Sequence, residues 1–455
     1  MRNLLFLFLF PILSIGQWVQ MLNEDYIYEI THTNDGGFIC ATQDWSSSDP
    51  ILYKLDSNGN ILWEQDLNVP NGFVYGLELT DDDGFIISGS FPDNYNSEGF
   101  LIKTNSTGEQ EWIYTYSIPS LSRQIQVLID ENGNYVTVGG FEYGYNNVNG
   151  YFIKKIDQNG NEIYSEVLNT ESLMGITSVT KTSDNGIIMT GWIETPSKSI
   201  LLIKVDYNGN VEWTQFFNEE TYESRGHNII EVSQGGYLIS STVNLQEWGN
   251  QENWGKGSLI KTNNLGEIEW QKFYDGGSQD YLSGSWEDGR GGQLLEAIEE
   301  DNGDFTVVGV TKDFSSNVEY NYAWLLKVDN NGNEIDNFYY GEDGSHLHTN
   351  ELLKTNDGGY IIAGYSQFPT LLDQGTGQNT SIIKLENCGG TCLNFFETGV
   401  CETNEVACNY NPELTVDDGS CEYIEQINLG EDISTCEESI TLDAGSGYAS
   451  YEWST

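Results

Sequence analysis

Short apolar runs, each opened by a glycine turn, punctuate the chain at a near-regular interval. They read DGGFICAT at Asp35, DDGFIISG at Asp82, NGNYVTVG at Asn132, DNGIIMTG at Asp184, QGGYLISS at Gln234, NGDFTVVG at Asn302 and DGGYIIAG at Asp357. Asp-Gly and Asn-Gly pairs beside apolar residues are hairpin chemistry, because Gly and Asn accept a positive φ at little cost. A second pattern alternates with the first. It reads KLDSNGNILW at Lys54, KTNSTGEQEW at Lys103, KIDQNGNEIY at Lys155, KVDYNGNVEW at Lys204, KTNNLGEIEW at Lys261 and KVDNNGNEID at Lys327. A seventh copy starts at Lys384 as KLENCGGTCL and loses the final aromatic residue. No stretch shows the i, i+3, i+4 apolar spacing of an amphipathic helix.

Together the two patterns divide each unit into four short strands. In the second unit these are Leu77–Thr80, Phe85–Gly89, Phe100–Thr104 and a fourth that carries Trp112. Four antiparallel strands in a unit of 47–68 residues, seven times over, predict an all-β fold: a seven-bladed β-propeller over residues 17–387. A string of β-sandwiches is the competing architecture, but each sandwich needs about 100 residues. Trp18 lies 20 residues before Phe38, much as Trp63 lies 22 before Phe85. Trp18 therefore holds a fourth-strand position with no blade of its own. The expectation is that the N-terminal strand completes blade seven, so that no blade is left with an unpaired third strand.

The positions Asp56, Gly59 and Trp63, and again Asp206, Gly209 and Trp213, resemble the tryptophan-docking motif of the quinoprotein-like propellers, with the Asp-to-Gly gap one residue shorter. The resemblance implies that Trp18, Trp63, Trp112, Trp213 and Trp270 pack between adjacent blades, while Tyr164 and Asp336 depart from the pattern. Further on, Ala407–Pro412 (ACNYNP) and Asp417–Cys421 (DDGSC) closely resemble a short Cys-rich repeat of secreted marine Bacteroidetes proteins. Residues 427–455 resemble the opening of an immunoglobulin-like module from the same proteins, which are typically type IX secretion cargo. These resemblances imply a Cys-rich disulfide module at 388–425 and the start of an immunoglobulin-like domain at 426–455. The latter is under a third of a sandwich, so the chain is expected to be a fragment.

Composition adds location and exclusions. The chain has 18 basic and 70 acidic residues, a net charge of −52. That balance excludes a general nucleic-acid binder, which needs clustered Lys and Arg for phosphates, and disfavours anionic membrane surfaces. The N-terminus, MRNLLFLFLFPILSIGQ, has one Arg, a short apolar run and small residues before Gln17. It reads as a signal peptide over residues 1–16, too short to span a bilayer. A secreted or cell-surface protein follows, without membrane insertion. Six of the seven cysteines, Cys388, Cys392, Cys401, Cys408, Cys421 and Cys436, fall in the tail. In a secreted chain that cluster reads as disulfides, and six cysteines allow 15 pairings. Cys40, in an apolar strand, reads as a buried free thiol.

Local chemistry is sparse. No GxSxG, Walker loop or HExxH is present, and the expectation is a protein that is not an enzyme. The recurrent Lys reads as structural, pairing with a nearby carboxylate. The DxNGN turns begin like calcium loops, but the twelfth position from Asp56 is Leu67 rather than Glu, so they read as hairpins. His346 and His348 could share a strand face but have no third zinc ligand in view. They read as loop residues, and no metal or cofactor is expected; calcium is the one ion that the many Asp and Asn oxygens suit. With strands running outward from the axis, the long connections share one face. Their aromatic residues Trp45, Tyr143, Trp248, Trp254, Trp286 and Tyr320 are the candidate ligand-binding set, since function sits on loops above a rigid scaffold. Aromatic faces beside amides and carboxylates suit a glycan or protein ligand. The functional expectation is a non-catalytic binding or adhesion protein. The alternatives are a polysaccharide-active enzyme with its site in the propeller mouth and a structural spacer of a large adhesin.

Overall fold

The computed structural model describes residues 18–385, apart from 23–25, 44–48, 92–97, 118–124, 142–148, 171–173, 195–198, 207–208, 218–222, 246–255, 275–291, 314–319, 341–345 and 368–378. The expected signal peptide, Cys-rich module and immunoglobulin-like segment lie outside the described residues, as do the six tail cysteines.

Every regular element described is a β-strand. Blade 1 runs Tyr26–His32, Phe38–Gln43, Pro50–Leu55 and Ile61–Asp66 from the axis outward, each strand antiparallel to the next. Blades 2 to 6 repeat that order and begin at Phe73–Leu79, Ile125–Ile129, Met174–Lys181, Glu223–Glu231 and Gly292–Glu299. Blade 7 has His346–Lys354, Tyr360–Gln367 and Asn379–Leu385. Its fourth strand is Trp18–Leu22, paired antiparallel with Trp18 opposite Lys384. The two ends of the propeller thus meet in one sheet, as the spacing of Trp18 implied.

The core lies between blades. Second and third strands are buried on both faces, as in Phe38–Gln43 and Ser199–Val205. One cluster joins Ile39, Ala41 and Leu52 of blade 1 to Val74, Leu77, Phe85 and Phe100 of blade 2. Each blade buries its apolar face only against its neighbour, which is why the units cannot stand alone.

The repeated residues hold the blades in two ways. In the turn between third and fourth strands, Asp56 accepts the backbone N–H groups of Asn58 and Asn60 and the side-chain amide of Asn60. Gly59 takes φ 79° there, and an added Cβ would lie 2.4 Å from the Trp18 ring of blade 7. Trp63, Trp112, Trp213 and Trp270 stand in the same way over Gly108, Gly160, Gly266 and Gly332 of the following blade. Trp18, Trp112 and Trp270 also donate their indole N–H to a carbonyl of the turn they cover. Tyr164 takes the tryptophan's place over Gly209. The turn that Asp336 would meet lies outside the described residues.

The recurrent Lys sits beneath the first hairpin turn. Lys54, Lys103 and Lys204 are buried and pair with Asp35, Asp82 and Asp184, and each also donates to the carbonyl of the residue after it. Lys155 and Lys384 pair with Asp130 and Asp357 at 2.5 Å, and Lys261 with Glu269. Lys327 instead lies over the Tyr360 ring. The structural reading of the repeated Lys therefore holds, with a carboxylate partner in six copies and an aromatic ring in the seventh.

Candidate functional site

The seven innermost strands converge on an axial channel of about 1110 Å³, lined from every blade. Their local geometry decides what it contains. Six of them carry a register shift at one equivalent place, where a single extra residue bulges: Tyr28, Tyr75, Thr177, His227, Leu295 and Asn350. A bulge bends a strand and re-aims its side chains, and all six line the channel. The sequence carries a trace of this. A Gly closes the apolar run in several units, as in Gly191, Gly309 and Gly364, and a Cβ at Gly364 would lie 1.8 Å from the carbonyl oxygen of His348. Only Gly lets the bulged strand come so near.

In four blades the residue after the bulge reaches toward the neighbouring blade. Ser178 accepts the backbone N–H of Ile229, Asn228 that of Ala297 at 3.3 Å, and Glu296 that of Leu352 at 2.5 Å. Glu351 accepts that of Ile30. Glu29, Glu296 and Glu351, from blades 1, 6 and 7, therefore stand side by side inside the ring. Glu351 and Glu29 lie within hydrogen-bonding reach of each other, a contact that favours one of the two keeping its proton.

Burial is the main cause that pushes all three well above the usual carboxylate range. Glu296 and Glu78 add like charge at Glu29, Glu351 does so at Glu296, and Glu29 does so at Glu351. Glu78 of blade 2 is raised by burial to about 7. Each keeps a partial opening to the channel, so water there tempers the shift without changing its direction. His227, whose Nε2 lies 2.8 Å from the Thr242 hydroxyl, is lowered to about 4 by burial and by the charge of Arg225. It is neutral near pH 7.

Aromatic rings gather on blades 7, 1 and 2. His348 stacks on Tyr365 at 4.5 Å and 10°, Tyr26 lies 4.8 Å from Tyr365, and Tyr28 meets Tyr75 edge-on at 5.8 Å. His346 and His348 belong to the innermost strand of blade 7 rather than to a loop, a correction to the sequence reading. Only its pairing with Tyr360–Gln367 in the folded sheet makes that segment a strand. Among the described residues no group of three His, Cys, Asp or Glu could hold a metal ion.

Of the residues expected to bind ligand, Trp45, Tyr143, Trp248, Trp254 and Trp286 lie outside the described residues. Tyr320 begins the third strand of blade 6, with its backbone opposite Asp313. The channel residues escaped sequence reasoning because they come from distant strands and make no local motif.

No protein-family model matches the chain, and no curated protein sequence matches it. Solved structures do. A polysaccharide lyase of family PL25, an ulvan lyase, bound to -[GlcA(1-4)Rha3S]-, aligns with a TM-score of 0.53 at 9% identity, covering 81% of this chain and 96% of that one. The same lyase in a second structure aligns equally well. A mutant puromycin hydrolase aligns at a TM-score of 0.43 and 10% identity over 78% of this chain and 52% of its own. At such identity the lyase similarity shows the fold alone. It nevertheless overturns the expectation that the chain is not an enzyme. That expectation rested on absent local motifs, whereas a fold of this kind carries a polysaccharide-cleaving enzyme and here assembles titratable groups from several blades.

Proposed function

We propose that this chain is a secreted propeller that binds and cleaves a polysaccharide in its axial channel. The observation that carries this reading is the meeting, in one open channel, of the neighbouring Glu29 and Glu351 carboxyls and the rings of Tyr26, Tyr28 and Tyr75. Aromatic faces suit the apolar faces of sugar rings, and polar groups beside them fix orientation. A carboxyl group whose proton is held well above the usual carboxylate range can act as a general acid. The lyase with the similar fold is seen with a bound saccharide, which supports the same class of ligand here. Carboxyls in hydrogen-bond contact are too near one another for the two-carboxylate hydrolases, which separate theirs by about 5 Å or more. The pair therefore works as one acid: as the glycosidic C–O bond breaks, Glu351 gives its proton to the departing oxygen, and the proton released by the water that adds, or by the sugar carbon in an elimination, returns to the Glu29–Glu351 pair and restores it.

A panel of extracellular polysaccharides, followed for new reducing ends and for the ultraviolet absorbance of unsaturated sugars, tests this. Turnover of at least one is expected. Glu351→Gln keeps the size of the side chain and its acceptor oxygen, and should lower kcat by about 10²–10⁴ with binding retained, the usual worth of a general acid. Cleavage by Glu351→Gln at the native rate would remove this acid, and no turnover or binding across the panel would remove the reading itself.

A further inference from the structure

Arg225 is out of character for this protein. Among the described residues the repeated Lys side chains are committed to carboxylates, carbonyls or a ring inside the blades. Among the described residues Arg225 is the one Lys or Arg that lines the channel. It lies on the innermost strand of blade 5, two residues before His227. Its guanidinium stands 5.4 Å over the Trp192 ring of blade 4. Its Nε is buried and makes no hydrogen bond among the described residues. Room for the indole comes from Gly175, where a Cβ would lie 2.5 Å from Trp192 Nε1. Glu194 also lines the channel and is exposed, and no ion pair among the described residues joins it to Arg225.

We propose that Arg225 and Trp192 form an anion subsite for a carboxylate or sulfate carried by the sugar chain. This rests on the glycan reading above and narrows it to an acidic glycan. A buried N–H without a partner is costly, and a guanidinium presents a planar fork that matches carboxylate and sulfate oxygens. The Trp192 face 5.4 Å beneath it adds a cation–π contact that holds the guanidinium at this place. In the ring of seven, the seam between blades 4 and 5 lies opposite blade 1, which carries Tyr28. A sugar ring resting on the Tyr28–Tyr75 side would thus turn its acidic group toward Arg225. The chain's net charge of −52 repels densely charged polymers. With a Debye length of about 8 Å in physiological salt, Arg225 acts only at contact, so the fitting ligand carries isolated charges rather than a dense run.

The test uses glucuronate-containing oligosaccharides and the same oligosaccharides with each carboxylate reduced to a hydroxymethyl group, with binding measured by calorimetry on the full chain. The native protein should bind the acidic set more tightly, and less so as salt rises. Arg225→Met should weaken acidic binding about 10- to 100-fold, the worth of one charge-assisted hydrogen bond, and leave the reduced set unchanged. Arg225→Lys should recover part of the loss. Should Arg225→Met fail to fold, Trp192→Leu should give a smaller loss confined to the acidic set. Equal loss for both sets, or none, would overturn the subsite while leaving glycan binding intact. Failure of the native protein to bind either set would overturn the glycan reading and the subsite with it.

Discussion

Lys204, 2% exposed, is held by Asp184 and Glu212 and by the carbonyl of Val205. Its partners remain about half exposed, so they stay solvated if the ammonium goes. Lys204→Met should therefore destabilise by about 1–3 kcal/mol, below the cost of breaking a fully buried pair, and thermal unfolding would show it. An unchanged melting temperature would mean that the repeated Lys is not part of what holds the blade. The partner was legible in outline, since a Lys at the same place in every unit of so acidic a chain calls for a carboxylate. Which carboxylate was not, because Asp35, Asp82 and Asp184 come from the hairpin turn that precedes the Lys by about 20 residues. Hydrogen bonds to those three carboxyls, from Thr33, Thr80 and Thr182 and from the Lys, outweigh a burial that would raise them and hold each at about 2.

At the scale of the element, the fourth strand is exposed along much of its length, and its Trp is its main anchor to the next blade. Trp213→Ala removes an indole lying over Gly266 and packed near Tyr237, at 6.0 Å between ring centroids. A loss of about 2–4 kcal/mol is expected, near the lower end for a large aromatic side chain because Trp213 is only half-buried. Denaturant unfolding would measure it, and a loss below about 0.5 kcal/mol would show that the strands hold by their ladders alone. Strand existence was readable from turns and alternation, and the four strands of the second unit fall where they were expected. The bulges of the first strands were not read, although the Gly that closes the apolar run marks them. A bulge is a property of two paired strands, and one strand's sequence shows only half of it.

For the whole molecule, protons link the ring to pH. Glu29, Glu296 and Glu351 are raised, and Glu78 sits at about 7. For such groups the folded state binds protons more tightly. Their contribution to stability is complete below the unfolded value of about 4.3 and is lost as pH rises through the folded values. The lowered Asp35, Asp82 and Asp184 act oppositely, contributing above about 4 and losing that contribution as pH falls toward 2. Stability should therefore peak in mildly acidic solution and decline through neutrality into alkali. Melting temperatures from pH 4 to 9 check this, and Glu78→Gln should flatten the decline around pH 7. A melting temperature that rises steadily into alkali would show that the channel carboxyls are ionised in the folded protein.

The amino-acid sequence by itself determined the number of blades, the hairpin turns and the strand that closes the ring. All three are written in short-range terms: period-two alternation, Gly and Asn where φ must be positive, and a Trp at constant spacing. Only the tertiary structure decided what faces the axis. Glu29, Glu296 and Glu351 are scattered across the chain, and Trp192 and Arg225 belong to different blades. Seven first strands converge on one channel, each re-aimed by a bulge or not. The resulting burial and like-charge proximity, which set the chemistry of those side chains, exist only once the ring has closed.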